Sequence, residues 1–301
     1  MNNIIEIEVL GGKWWITIFN EIDKEAENQI ANKIKNLLKT FENNYSRFLN
    51  DSYISQLNRD KVLTKFPEEL FELFQLSKSF FLKSNGNFNI ATGHILEALG
   101  YNSKYNFYKR YSDSSSKEFD ESILELTKDK IRIDEEVRVD LGGIGKGYIA
   151  DKVVTLIKDI GYQNFIVNAG GDIYVTSDIG MDVTFPLENP FNIKEKIGEI
   201  KASNLGLAAS SPSRRLWRTK NTDEVFHHLI DTKTDLSKKG IAAVFTTAEN
   251  TLIADAAATS LFVCNDEERS EIADSFNVEY LIIYSDKSYF KSKGYLGSLF
   301  N

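Results

Sequence analysis

Apolar and polar residues alternate over residues 4–10 and again over 14–19, on either side of Gly11-Gly12. A period of two is typical of half-buried strands, and a diglycine between two such runs predicts a β-hairpin. Over residues 21–41 the apolar positions recur every three or four residues, which predicts an amphipathic helix. These positions are Ile22, Ala26, Ile30, Ile34, Leu37 and Phe41.

The later patterns mix helices with strands. A second helix is predicted to begin at Pro67, with acidic residues in its first turn, and to end before Gly86. The other predicted elements are strands through Ile131, Ile133, Val137 and Val139, a helix over 146–160 closed by Gly161, a strand over 165–167 that stops at Gly170-Gly171, further strands within 182–245, helices over 251–263 and 266–275, and a strand from Tyr280 to Tyr284 before a final hairpin. Residues 101–121, rich in Tyr, Ser, Lys and Asp, are predicted to form an exposed loop or insertion. Without a repeat or a clean linker, the chain predicts one α+β domain over residues 1–301.

Composition excludes several classes of protein. The net charge of −8 argues against a general nucleic-acid binder, whose surface would be basic. Cys264 is the single cysteine, which rules out an internal disulfide, and no Cys/His spacing suggests zinc. No run reaches the roughly 18 apolar residues of a membrane span. The N-terminus lacks a leader or lipidated cysteine, which predicts a cytoplasmic protein as written, or an exported one if a leader has been removed.

The glycine-rich segment Val-Asp-Leu-Gly-Gly-Ile-Gly-Lys-Gly-Tyr-Ile-Ala-Asp covers residues 139–151. Such a turn lets the backbone approach a phosphate, and the helix start behind it offers unpaired N–H groups. A P-loop would need Ser or Thr after the lysine, but Lys146 is followed by Gly147, and the G-x-G-x-x-G spacing also fails. The segment is therefore either a different phosphate site or a plain strand-to-helix connection with a solvated lysine.

A second candidate lies in the alanine-rich helix that is predicted over 251–263. Asp255 and Thr259 are one turn apart on one face of it. A carboxylate and a hydroxyl are hard oxygen ligands that suit magnesium or calcium. The alternative is a structural aspartate whose charge is satisfied by a backbone N–H or a lysine.

Two adjacent histidines, His227 and His228, form the third candidate. Neighbouring side chains of a strand point to opposite faces, so at most one of them enters a given site. A neutral imidazole there would suit a general base. A partly buried histidine that is hydrogen-bonded to a loop is the alternative.

Two shorter segments carry weaker signals. Asn168-Ala-Gly-Gly-Asp172 is by itself a structural turn at the end of a strand. In Ser46–Ser52, Asp51 or Ser52 is placed to cap a short helix, and Phe48 is an aromatic that could stack on a planar ring.

The order of these segments resembles that of the ApbE family, the FAD:protein FMN transferases. The resemblance extends over about residues 40–265, and its specific motifs are Asp-Leu-Gly-Gly-x-x-Lys-Gly-Tyr, from Asp140, and Ala-Asp-Ala-x-x-Thr, which ends at Thr259. It implies an α+β fold related to the T-fold, with FAD between two closely joined lobes. The implied reaction uses Mg²⁺ to cleave the FAD pyrophosphate and joins FMN by a phosphoester to a threonine or serine of a target protein, releasing AMP.

The resemblance also implies roles for individual residues. Asp255 and Thr259 would be metal ligands, together with the backbone carbonyl of Gly143. Asp255 would be catalytic through the metal. His228 would be catalytic as the base for the target hydroxyl. The FAD contacts that the resemblance implies are Phe48 stacked on the isoalloxazine, Phe88, Asn89 and Ile230 lining the flavin site, and Asp140 and Lys146.

The chain departs from the family pattern on the flavin side and on the acceptor side. Asn89 stands where the family usually has aspartate, and His94 follows Gly93 where the family often has proline. Residues 231–235 and 208–215 also differ from the usual Asp-Pro-x-Thr-Gly and Ala-Thr-Ser-Gly. FAD hydrolysis to FMN and AMP, or flavin binding without catalysis, are therefore kept as alternatives. The acceptor is predicted to be another protein, because this chain contains no Asp-x-x-Ser/Thr-Gly-Ala motif.

Overall fold

A computed structural model of the chain describes residues 3–102, 106–110, 115, 117–120 and 122–300. Its helices are α1 (Lys24–Tyr45), α2 (Tyr53–Asp60), α3 (Glu68–Lys83), α4 (Gly93–Ala98), α5 (Gly145–Ile160), α6 (Thr251–Val263) and α7 (Arg269–Phe276), with a 3₁₀ turn over Asp266–Glu268. Its strands are β1 (Asn3–Val9), β2 (Gly12–Ile18), β3 (Val62–Leu63), β4 (Leu124–Leu126), β5 (Ile131–Ile133), β6 (Phe165–Ala169), β7 (Asp172–Thr176), β8 (Val183–Glu188), β9 (Lys196–Ala202), β10 (Leu205–Ser210), β11 (Leu216–Arg218), β12 (Val225–His227), β13 (Ile230–Asp231), β14 (Leu236–Ser237), β15 (Ile241–Ala248), β16 (Glu279–Tyr284), β17 (Tyr289–Lys291) and β18 (Ser298–Leu299).

The largest sheet is antiparallel, with the strand order β1-β2-β6-β7-β10-β15-β16-β17. Its register places Trp15 of β2 between Glu6 of β1 and Asn168 of β6. The β1–β2 hairpin turns at Leu10 and Gly11, which both have positive φ. Leu10 and Gly11 thus provide the left-handed conformation that a two-residue hairpin turn needs, and Gly12 is the first residue of β2.

Helices α1, α5 and α6 cover one face of this sheet. Ile34 of α1, Val153 of α5 and Leu261 of α6 are fully buried against it. The close approach of α5 to α6 depends on Gly147, where a Cβ atom would lie 2.8 Å from the Cα of Leu252. The contact between these two helices sets the relative position of the glycine-rich turn and the Asp255–Thr259 face.

A three-stranded sheet, in the order β18-β9-β8, covers the other face of the main sheet. Phe185 and Ile200 of this small sheet belong to one apolar cluster with Val175, Phe245 and Leu281 of the main sheet. The central strands are therefore buried on both faces, and every residue of β15 is buried.

The α+β class and most of the predicted elements are confirmed. The hairpin, the helices at Pro67 and before Gly161, and the strand from Tyr280 lie within a few residues of the predicted bounds, and the bounds of α6 match the predicted 251–263. Ser52 caps α2 by accepting a hydrogen bond from the backbone N–H of Ser55 at 3.1 Å. Helix α4 was not predicted, and parts of the predicted loop over 101–121 lie outside the described residues. That residues 1–301 form a single domain stays a prediction.

Val137 and Val139 differ from the prediction, because they lie outside any strand. At Val137 the carbonyl accepts from the ammonium group of Lys61 at 2.8 Å. At Val139 the side chain of Asn58 explains the difference: its amide donates to the carbonyl of Val139 at 2.9 Å and its oxygen accepts from the N–H of Val139 at 2.6 Å. These two bonds of Asn58 satisfy the backbone as a neighbouring strand would.

Among the described residues, no helix is long and apolar enough to cross a membrane.

Candidate active site

A cavity of about 870 Å³ opens where the β1–β2 hairpin, the β6–β7 turn, the glycine-rich turn and α6 meet. Its volume falls within the usual range for small-molecule sites. All the candidate residues from the sequence line it: Phe48, Phe88, Asn89, Asp140, Gly143, Lys146, His228, Ile230, Asp255 and Thr259. The fold therefore brings together residues that are separated by up to 211 positions along the chain.

The glycine-rich turn is held from both sides. The N–H of Asp140 donates to the carbonyl of Ile90 at 2.8 Å, and its carboxylate accepts from the N–H of Gly142 at 2.7 Å. A Cβ atom on Gly143 would lie 3.3 Å from the ring of Phe88 and 3.7 Å from the methyl group of Thr259. The backbone of Gly143 thus lies between the aromatic ring and the Asp255–Thr259 face.

Charged groups converge on one side of the cavity. Asp255 accepts a hydrogen bond from the N–H of Gly147 at 3.0 Å, and the ammonium group of Lys146 forms an ion pair with the buried Asp172. We call Lys146, Asp172, Asp255 and Thr259 the polar wall. Burial raises the pKa of Asp255, and the negative charge of Asp172 acts in the same direction. The two carboxylates share one lysine, so the wall carries an excess of one negative charge when both are ionised.

The composition of the polar wall fits a hard cation. Asp255 offers a carboxylate, Thr259 a hydroxyl that lies 3.4 Å from the hydroxyl of Ser210, and the neighbouring Gly143 a carbonyl. The described residues contain no cluster of three or more His, Cys, Asp or Glu side chains suited to a metal. A cation here would depend on few protein ligands, as is typical of Mg²⁺ that is shared with substrate phosphates.

The two adjacent histidines have different surroundings. The ring of His227 contacts the carbonyl of Lys238 through Nε2 at 2.8 Å and accepts from the N–H of Leu229 through Nδ1 at 3.3 Å. His228 follows the end of β12 and lines the cavity, and its buried Nδ1 has no partner among the described residues. Burial lowers the pKa of His228 to about 3, and the positive charge of Arg215 acts in the same direction. His227 therefore supports the fold, whereas His228 presents a neutral imidazole to the site.

An aromatic surface, of which Phe48 and Tyr101 line the cavity, is held together by Arg47. The guanidinium of Arg47 lies 4.3 Å from the ring centre of Phe48, donates to the carboxylate of Asp140 at 2.6 Å and donates to the carbonyl of Tyr101 at 3.1 Å. The ring of Tyr101 stacks on Trp217 with centres 5.0 Å apart. We call Arg47, Phe48, Tyr101 and Trp217 the aromatic wall. Asp140 accepts from both Arg47 and Gly142, so it joins this wall to the glycine-rich turn.

The other predicted flavin-site residues are held firmly by the protein. Phe88 is buried edge-on against Phe80, with ring centres 5.7 Å apart. Asn89 donates to the carbonyl of Lys117 and accepts from the N–H of Ala91, each at 2.8 Å. Ile230 is buried in the same apolar cluster as Trp217. The structure places all three at the cavity, and their contacts with FAD stay predictions.

We compared the sequence and the fold of this chain with those of known proteins. The model of the ApbE family matches residues 1–282. The chain belongs to the ApbE family. Among its relatives, the FAD:protein FMN transferase of Haemophilus influenzae is 26% identical over 279 residues, covering 85% of this chain and 79% of the relative. The FAD:protein FMN transferase of Escherichia coli K12 is 21% identical over 306 residues, covering 95% and 87%.

Solved structures of ApbE proteins share the fold over almost the whole chain. The ApbE protein of Thermotoga maritima superposes with a TM-score of 0.85 at 20% identity, and 97% of each chain is covered. The flavin transferase ApbE from Vibrio cholerae gives a TM-score of 0.78 at 18% identity, with the same coverage.

In this ApbE-family chain, sequence reasoning assigned no role to Asp172, Arg47 or Arg215. Asp172 ends the Asn168–Asp172 turn, and its position directly after a diglycine at the start of a strand is a local signal for a buried acid near a turn. Arg47 precedes the candidate aromatic Phe48, but its partner Asp140 is 93 residues away. No local pattern reveals such a contact.

Proposed function

We propose that this chain transfers FMN from FAD to a threonine or serine hydroxyl of another protein and releases AMP. The relatives named FAD:protein FMN transferase and the membership of the ApbE family support this proposal. The observation that carries it is the placement of the polar wall, the neutral His228 and the aromatic wall around one cavity. A pyrophosphate, a nucleophile and a planar ring each need one of these surfaces.

The polar wall suits the pyrophosphate of FAD. Mg²⁺ held by Asp255, Thr259 and the carbonyl of Gly143 would supply positive charge to the phosphate oxygens. The ammonium group of Lys146 adds a second positive charge beside it, and Asp172 holds that side chain in place. Phosphoryl transfer depends mainly on such positioning and charge neutralisation.

His228 is the proposed base. Its imidazole accepts the proton as the hydroxyl oxygen of the acceptor attacks the phosphorus of the FMN half. The bond between that phosphorus and the bridging oxygen breaks, and the electron pair leaves with AMP. Because the cavity environment keeps His228 neutral, the base is available without prior loss of a proton.

The experiment combines the purified chain with FAD, Mg²⁺ and a candidate acceptor protein, followed by denaturing electrophoresis. Flavin fluorescence on the denatured acceptor, with one AMP released for each label, is the expected result. AMP without label would show FAD hydrolysis in place of transfer. FAD binding with neither product would show a flavin-binding protein and would overturn the proposal.

A further inference from the structure

The segment between β10 and β11 fixes an arginine at the edge of the cavity. Ser211 donates to the carbonyl of Ala242 at 2.9 Å, and the N–H of Arg215 donates to the carbonyl of Pro212 at 2.9 Å. In the β11–β12 ladder Leu216 lies opposite His227. Arg215 and His228 are the next residues along the chain at this end of the ladder, and both line the cavity.

Arg215 differs in its partners from the other cations that line the cavity. Lys13 pairs with Glu6, Lys146 with Asp172, and Arg214 with Glu188. Within the described parts of the chain, the guanidinium of Arg215 forms no ion pair and no hydrogen bond. Its exposed positive charge is therefore available to a ligand.

The charge of Arg215 also reaches the reacting region. Arg215 lines the same cavity as His228 and Asp255, the proposed base and a proposed metal ligand. A planar guanidinium with five N–H donors matches two oxygens of a phosphate group at once. The acids of the polar wall repel a pyrophosphate, whereas an unpaired arginine at the edge of the cavity attracts it.

We propose that Arg215 is a phosphate-binding residue of this site, whose guanidinium contacts the pyrophosphate of FAD and holds the AMP phosphate as negative charge develops on it. The proposal rests on the proposed function, because it takes FAD as the substrate. It predicts a contribution to both substrate binding and transfer. It also separates the roles of two neighbouring arginines, since Arg214 is already held by Glu188.

The test compares Arg215→Ala, Arg215→Lys and the matched control Arg218→Ala, whose arginine pairs with Asp223 on the surface. Binding of FAD and of riboflavin, which lacks phosphate, is measured by flavin fluorescence. Because Arg215→Ala removes a charge-assisted hydrogen bond to phosphate, we expect it to weaken FAD binding by about tenfold or more and to leave riboflavin binding unchanged. Arg215→Lys should recover part of the loss, because it keeps the charge without the planar donor pair. Arg218→Ala should bind FAD as the wild type does.

Two results would overturn the role of Arg215. One is equal FAD affinity of Arg215→Ala and Arg218→Ala, and the other is an equal loss of riboflavin and FAD binding in Arg215→Ala. In both cases the wild type still binds FAD and labels the acceptor, so the proposed function survives. A wild type that neither binds FAD nor labels an acceptor would overturn both proposals together.

Discussion

The polar wall and the aromatic wall face the same cavity but are built in different ways. Lys146, Asp255 and Thr259 lie on the long helices α5 and α6, and Asp172 lies at the start of a central strand. Phe48 lies between α1 and α2, and Tyr101 in the connection that follows α4; of the aromatic wall, Trp217 lies on a strand, the three-residue β11. The polar wall is thus positioned by the backbone of regular elements, whereas the aromatic wall is positioned by contacts between side chains.

The two walls also differ in charge. Each contains an ion pair with a buried member, Lys146–Asp172 in one wall and Arg47–Asp140 at the edge of the other. In the polar wall Asp255 adds a second acid, which calls for a cation. At the aromatic wall Arg47 pairs with Asp140 and also lies 3.9 Å from Glu97, which Arg138 approaches at 3.4 Å, so two arginines balance two acids. The aromatic rings beside this group suit a neutral planar ligand. The contrast predicts that changes in the polar wall affect the rate of transfer and that changes in the aromatic wall affect FAD binding and stability.

The largest effect is expected from Asp255→Asn in the polar wall. Asparagine can still accept the hydrogen bond from Gly147 but removes the charge, so the folded state persists while transfer slows by roughly 100- to 1,000-fold. Acceptor labelling at saturating FAD and Mg²⁺ measures the rate. Asp151→Asn is the control, because Asp151 accepts from the N–H groups of Thr251 and Leu252 at the start of α6. It should lower stability with little change in the rate, and equal rates for both variants would refute the role of Asp255.

The next largest effect is expected from Arg47→Ala in the aromatic wall. The guanidinium is buried, and its loss leaves Asp140 without its cation, so the free energy of unfolding should fall by about 3 kcal/mol. Phe48 also loses its cover, and KM for FAD should rise roughly tenfold with a smaller change in kcat. Urea unfolding and steady-state kinetics measure the two effects.

Arg59→Ala is the matched control for Arg47→Ala. Arg59 pairs with Asp60 on the surface, where both side chains are at least half exposed. Its loss should change the free energy of unfolding by less than about 1 kcal/mol. If Arg47→Ala lowered kcat and left KM and stability unchanged, the division of roles between the two walls would be wrong.

The same contrast explains what the sequence could predict. The helical period placed Asp255 and Thr259 on one face of α6, and the glycines marked the turn at Gly143, so most of the polar wall could be found from local patterns. In a helix or strand, the spacing of two residues along the chain determines whether their side chains lie on the same face. The resemblance to the ApbE family joined these patterns into one site.

The parts of the site that the sequence could not predict depend on contacts between residues that are far apart along the chain. Arg47 meets Asp140 across 93 positions, and the indole of Trp217 donates to the carbonyl of Leu99 across 118. Asn58 took the place of a strand beside Val139 for the same reason, because one side chain satisfied both backbone groups. The spacing of residues along the chain does not predict such pairs. Of the aromatic wall, the sequence therefore predicted only Phe48.

A smaller effect is expected from pH, through His228 beside the polar wall. Its pKa of about 3 in the folded protein lies below the unfolded value of about 6.5, so between these values the unfolded chain binds a proton that the folded protein does not bind. This contribution to stability is complete above pH 6.5 and is lost as the pH falls towards 3. From pH 7 to pH 5, the wild type should lose about 1–2 kcal/mol more than His228→Asn.

Urea unfolding of both proteins at the two pH values measures this difference. His94 and His227, whose pKa values burial also lowers, are present in both proteins, so their contributions cancel. Parallel pH dependence of the wild type and His228→Asn would show that His228 is solvated and titrates in its ordinary range.

The smallest effect is expected from Trp217→Phe at the back of the aromatic wall. Phenylalanine keeps an aromatic ring against Tyr101, but it removes the hydrogen bond to the carbonyl of Leu99, which is 2.9 Å long and buried. The free energy of unfolding should fall by about 1 kcal/mol, and KM for FAD should rise less than in Arg47→Ala. Trp217→Ala, which also removes the ring, should cost about 3 kcal/mol or more. If Trp217→Phe raised KM as much as Arg47→Ala, the indole would position Phe48 as strongly as the guanidinium does, and the aromatic wall would act as one unit whose parts cannot be separated.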